Sequence, residues 1–249
     1  MPTFHAIVRA MTRLRACVAL LAVLLGTLTV ATGSPASAAT GKPKVGQCHN
    51  LTFKNVTLPR EPKPPVPCGA RHTTQTIAVV TVSTPLKGLS LDQLATIGAQ
   101  ACVPPTLKAL GRNAVARLAT AYDLFYFMPT KPQIAAGAQW FRCDIGVLAD
   151  KSMLPIQRLS KPIVPRILKD ADLRCIAKDH MPTPCSHPHA YRPNRALTFK
   201  ANVTSPPTKA DVPYLLANVC PKGSRYVIWN DAQWAAGDRA IVCYAKTTT

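Results

Sequence analysis

The run Thr76–Val82 is β-branched and small apolar, which predicts a strand, and Arg195–Lys200 predicts another through its partial alternation. Each is followed by a helix candidate ending at a cysteine. Ser90 and Gln93 make a capping-box start, after which Leu91, Leu94, Ala95, Gly98 and Cys102 fall at helical spacing. Thr208–Val219 holds the same place later in the chain, less regular because of Pro213. Paired strands then follow, Leu124–Phe127 with Trp140–Val147, and Arg225–Trp229 with Arg239–Ala245. Gly137 and Gly237 lie between the paired strands, where a connection can require positive φ. Extra residues around Thr106–Ala121 predict an added helix in the first half.

The cysteines fix the register between the two halves. Leaving Cys17 aside, their intervals are 20, 34 and 41 from Cys48 to Cys143, and 10, 35 and 23 from Cys175 to Cys243. The middle interval is nearly unchanged. Gln133–Cys143 matches Gln233–Cys243 at five of eleven positions across an offset of 100, and Pro-Cys-x-x-x-His occurs at both Pro67–His72 and Pro184–His189. Two anchors in the same order point to an internal duplication. The expected fold class is therefore α+β: two tandem small disulfide-stapled domains, each a small antiparallel sheet with one or two helices. Their expected extents are 40–149 and 171–249. Residues 150–170 read as a basic, proline-containing linker, extended and solvated, although its many apolar residues suggest that it lies against one domain.

The first 39 residues read as a secretory signal peptide. Arg9, Arg13 and Arg15 precede an apolar stretch from Ala16 to Ala31, with small residues and an Ala-x-Ala site after it. Cleavage near Ala38 or Ala39 removes Cys17 and leaves eight cysteines in an oxidising compartment, which implies four disulfides. Four cysteines allow three pairings per domain. The expected pairs are Cys48 with Cys68, Cys102 with Cys143, Cys175 with Cys185, and Cys220 with Cys243, so that in each copy the third joins the helix to the last strand. No later segment is apolar enough to span a membrane, and the expected location is secreted, extracellular or wall-associated.

Charge narrows the partners. The chain carries 30 lysines and arginines against 11 acids, and about +16 remains once the three leader arginines are gone. Such a surface is drawn to polyanions. In an exported chain that means anionic wall polymers or another envelope protein; nucleic acid is not the expected partner in vivo.

With these elements placed, the second copy resembles the septum-formation domain family of exported actinobacterial proteins. The residues that carry this are Pro184–His189, similar to that family's Cys-x-x-Pro-His element, and Trp234–Cys243, similar to its Trp-x-x-Gly-x-Arg-x-x-x-Cys ending. The first copy adds Val45–Cys48, Cys68 and His72, but has Ile134 and Gln139 where the family has Trp and Arg. The resemblance implies an exported or membrane-tethered protein linked to cell division. It supplies no catalytic residue.

Catalytic motifs are not visible. The chain has no GxSxG, HExxH, P-loop or dinucleotide fingerprint, and its sole glutamate, Glu61, has no obvious acidic companion. The expectation is a non-enzymatic binding or structural protein without a cofactor. Two rivals follow from particular residues. One is a secreted hydrolase using Asp and His. The other is a zinc or copper binder at His180, His187 and His189, which surround Cys185. Against metal, Cys185 is expected in a disulfide, and the repeated placement of His72 and His189 four residues after a cysteine suggests a repeated structural role. Trp234 and Arg239 complete the candidate binding residues, since an indole and a guanidinium suit sugars or anions, although a tryptophan beside a glycine turn is more often core packing.

Overall fold

The computed structural model describes residues 41–60, 63–200, 203, 205–208 and 210–247. The expected signal peptide at residues 1–39, Glu61, Asn202 and Thr204 lie outside the described residues. The remaining chain forms two sheets, and the strand order of the second repeats that of the first.

The first lobe begins with β1 (Cys48–His49) and the short helix α1 (Phe53–Val56), then β2 (Thr74–Thr81) and α2 (Leu91–Leu110). After α3 (Ala114–Ala119) come β3 (Tyr122–Phe127), α4 (Lys131–Ala135), β4 (Trp140–Ala149) and β5 (Ser152–Met153). The sheet order is β1-β2-β4-β3, antiparallel throughout, with β5 pairing β4. The second lobe has β6 (Arg174–Ile176), β7 (Pro182–Pro184), β8 (Tyr191–Thr198), α5 (Asp211–Val219), β9 (Arg225–Ile228), α6 (Asp231–Ala235) and β10 (Ala240–Lys246). Its order is β7-β6-β8-β10-β9.

Local devices recur as well. β2 and β4 shift register between Thr76 and Ala78, and β8 and β10 shift at the matching place, between Cys243 and Tyr244. Such bulges bend a strand and re-aim side chains. The connections β3–β4 and β9–β10 each contain a one-turn helix that opens on a capping box, Thr130 with Gln133 and Asn230 with Gln233. Both then turn through a glycine in positive φ, 89° at Gly137 and 85° at Gly237. The four disulfides join Cys48–Cys68, Cys102–Cys143, Cys175–Cys185 and Cys220–Cys243. In each lobe one of them ties the long helix to the central strand.

Three features depart from the sequence reading. First, α2 does not stop near Cys102: it continues through Pro104 and Pro105 to Leu110. Proline removes a helical hydrogen bond, but burial of Val103, Thr106, Leu107 and Leu110 holds this last stretch against the body of the protein. Second, residues 150–170 are not solvated throughout but, as their apolar residues suggested, lie against the body of the protein. Lys151, Arg158, Lys161, Arg166 and Lys169 are exposed, yet Ile156, Ile163 and Val164 are buried. Ile163 and Val164 donate backbone hydrogen bonds to Ala109 and Leu110, and Ile156 donates to His72. Third, α3, part of the extra segment of the first half, packs on the second sheet. Leu118 and Ala119 share a core cluster with Ala240, Val242 and Tyr244.

Each sheet therefore has an equivalent helix-covered face. On the first, Phe141, Cys143 and Ile145 meet Leu94, Cys102 and Leu110 of α2. The approach is close at Gly98, where a Cβ would stand 2.7 Å from the Tyr126 ring and 2.9 Å from Phe141. On the second, Ile241 and Cys243 meet Leu216 and Val219 of α5 together with Trp229 and Trp234. Alternation along a strand sends the intervening residues to the opposite face. There the two lobes part company.

Candidate functional site

On the far face of the first sheet, β4 presents Arg142 and Asp144, and the paired strands present Phe127, Thr74, Thr76 and His49. Asp144 is fully buried. Thr76 Oγ1 donates to its Oδ1 at 2.8 Å, Thr74 Oγ1 donates to its Oδ2 at 3.2 Å, and Arg142 pairs with Oδ2 at 3.0 Å. Burial pushes the Asp144 carboxyl above its ordinary range, against the opposing pull of Arg142, His49 and Thr76. The Arg142 guanidinium also lies 4.3 Å from the centroid of the Phe127 ring, so carboxylate and ring fix it from two sides. His49 Nε2 is 3.5 Å from Thr76 Oγ1.

Above this network opens a cleft of about 380 Å³, into which Lys42, Arg60, Lys63 and Arg142 contribute cationic walls beside Phe127 and Trp140. Arg60 is held by donation from Nε to the Pro129 carbonyl at 2.8 Å, and Lys42 donates to Thr81 Oγ1 at 2.8 Å. Sequence reasoning missed this group. The available signal was an opposite-charge pair two residues apart on β4, facing two threonines two residues apart on β2.

The histidines singled out from sequence fall into two sets. His72 is 3% exposed and its Nδ1 lies 2.9 Å from the Ala70 carbonyl; His189 Nδ1 lies 2.8 Å from the His187 carbonyl. The same ring-to-backbone contact two residues back occurs in both lobes, holding the turn that follows each second cysteine. His180 is exposed with φ 71°, and His187 Nδ1 is 3.3 Å from Ser186 Oγ. Cys185 is in its disulfide. Among the described residues, no three His, Cys, Asp or Glu side chains are grouped as a metal site.

His187 and His189 instead border an open cleft of about 810 Å³ with Asp150 and Asp179. The neighbouring Asp179 carboxyl raises Asp150, and Asp150 in turn lowers Asp179. Lys151 pairs with Asp179 at 3.3 Å. Asp150 adopts φ 55°, a left-handed conformation uncommon for a residue with a side chain.

Trp234 is 4% exposed and packs against Trp229 and Phe199, with centroids 4.8 and 5.6 Å away; Arg239 lies 5.0 Å from its ring. The indole belongs to the core of the second lobe, with the guanidinium stacked on it. Ile134 occupies the equivalent place in the first lobe and packs against its core.

Among the described residues, no helix is long and apolar enough to cross a membrane. Comparison with curated proteins and with solved structures finds no match. A family model described as septum formation matches residues 45–228 in a single span that includes strands of both sheets, and the chain belongs to the septum formation family.

Proposed function

We propose that this protein is a non-catalytic, extracytoplasmic binding component of the cell envelope that engages anionic wall polymers through its cation excess. Membership of the septum formation family and the four disulfides support an envelope role. The observation that carries the reading is that three of the few acids, Asp123, Asp144 and Asp238, are taken up by interior arginines, which leaves Asp92, Asp150, Asp170, Asp179, Asp211 and Asp231 to face a larger number of exposed cations. Asp144 and Asp238 are buried against Arg142 and Arg117, and Asp123 is half-buried against Arg174. Carboxylates thus neutralise interior arginines, while Lys44, Lys54, Lys87, Lys108 and Lys131 stand exposed on the first lobe. A surface of that kind binds polyanions with strong salt dependence.

The two lobes descend, on this reading, from one duplicated unit. Shared strand order, the matching bulge and the capping boxes at a 100-residue offset support it.

The test is retention on isolated cell walls. Retention should fall about tenfold or more between about 50 and 500 mM salt, and Lys87→Glu, Lys108→Glu and Lys131→Glu together should weaken it at low salt. Retention indifferent to salt and to these changes would overturn the reading.

The grouping of Asp150, Asp179, His187 and His189 around one cleft favours a second reading, a secreted hydrolase using Asp and His, in which Asp150, raised by Asp179, acts as acid and Asp179 as base. Loss of wall-polymer cleavage in Asp150→Asn would support it. Absence of cleavage by the unmodified protein would remove it.

A further inference from the structure

The two lobes meet along a cleft of about 330 Å³, walled by α2, α3 and β3 on one side and by β9 and α6 on the other. Its charges are already balanced: Arg117 pairs with Asp238 at 2.9 Å, and Arg174 pairs with Asp123. Neither an anion nor a cation gains by entering, because each would have to compete with an internal partner.

Several polar atoms at the cleft nevertheless lack a partner. Thr106 lines it, is 4% exposed, and its hydroxyl has no hydrogen-bond partner among the described residues. The same holds for Arg117 Nε, a donor, and Asp123 Oδ2, an acceptor. Buried polar groups are almost always satisfied, so such a set needs an explanation. Asn230 and Gln233 add to it. Their side-chain oxygens accept the backbone N–H groups of each other in the capping box, so both amide NH₂ groups are left as donors at the cleft wall.

The unmet groups include donors, an acceptor and a hydroxyl that can be either. A ligand that answers all of them must carry groups that both donate and accept, which is the property of hydroxyls. Apolar wall from Leu107, Leu110 and Ile228 offers a surface for C–H faces. The volume lies at the lower end of small-molecule sites and suits one ring, not an extended chain.

We propose that the interlobe cleft binds a single uncharged, hydroxyl-rich ring, such as one pyranose unit of a saccharide. This goes beyond electrostatic attachment to a polymer, since it depends on none of the exposed lysines.

The test uses the whole secreted chain in saturation-transfer NMR with N-acetylglucosamine, mannose, galactose and myo-inositol as probes. At least one should saturate at or below about 50 mM, with affinity unchanged between about 50 and 500 mM salt. Thr106→Val removes the hydroxyl while keeping the shape, and Gln233→Glu keeps the capping oxygen while removing the amide donor. Each should weaken binding about tenfold in protein whose melting remains cooperative. No saturation by any probe, affinity that falls with salt, or full binding in both variants would overturn the proposal. Because the wall-retention test reads salt dependence and this one requires salt independence, the two readings fail separately.

Discussion

The far faces of the two sheets occupy the same place in the same strand order, yet one is polar and the other apolar. Asp144 and Arg142 in the first lobe correspond, at the 100-residue offset, to Tyr244 and Val242 in the second. Thr76 and Thr74 correspond to Pro193 and Tyr191 through their pairing with β4 and β10. An apolar face must be covered, and the second sheet is covered by α3, from the extra segment of the first half. A face built on a satisfied ion pair has no such need and can border an open basic cleft. The lesson is that one strand order can carry opposite far faces, each asking something different of its neighbour.

Separating the halves should have the largest effect. Residues 171–249 expressed alone lose α3 and expose Val242 and Tyr244. The expected result is a chain without cooperative melting or near-ultraviolet dichroism, whereas a cooperative transition would show that the second sheet stands without its cover. Next in size is the buried pair. Arg142→Met leaves Asp144 uncompensated and should cost about 3–5 kcal/mol in denaturant unfolding, and adding Asp144→Leu should recover most of that loss. No comparable pair exists at positions 242 and 244 to be broken.

Disulfide removal should be graded between the lobes. Replacing Cys102 and Cys143 by serine, or Cys220 and Cys243, should each cost about 2–5 kcal/mol. The first bridge closes a separation of 41 residues and the second 23, so loop entropy makes the first dearer by about 0.5 kcal/mol. Equal losses would mean that packing, not chain closure, dominates. Gly137→Ala and Gly237→Ala meet no neighbouring atom, so only the positive φ is strained, and each should cost about 1 kcal/mol.

The smallest effect is in pH. Asp144 has a raised pKa in the folded protein, so its contribution to stability is fully present below the unfolded carboxyl value and is lost as pH rises through the folded one. Asparagine at this position, which does not titrate, should therefore gain in melting temperature relative to the unmodified protein as pH rises from about 4 to 7. The second lobe offers Tyr244 there, pushed up to about 12 by burial, and has no such dependence near neutrality.

Much of the fold was legible because β-branched runs, capping boxes and repeated cysteine spacing are local signals. The course of α2 was not, since its apolar spacing was followed only to Cys102, and only tertiary burial of Thr106, Leu107, Ala109 and Leu110 shows why the helix continues through Pro104 and Pro105. The polar network was hidden for a related reason. Arg142 and Asp144 lie two residues apart in a strand, a spacing that puts them on one face without saying what covers it, and only the fold brings Thr74, Thr76 and His49 to that face. Trp234 was more legible: a tryptophan beside a glycine turn reads more often as core than as a ligand platform, and its side chain is core.

Every disulfide closes within one lobe, and none crosses between them. The peptide chain through residues 150–170 is thus the sole covalent tie among the described residues, and it exposes Arg158, Arg166 and Lys169 to a trypsin-like protease. A single cut there converts the molecule into a two-chain complex held by the α3 contact, the buried pair Arg117–Asp238 and the anchored isoleucines. Its parts would come apart in denaturant without any reducing agent, each keeping its own pair of bridges.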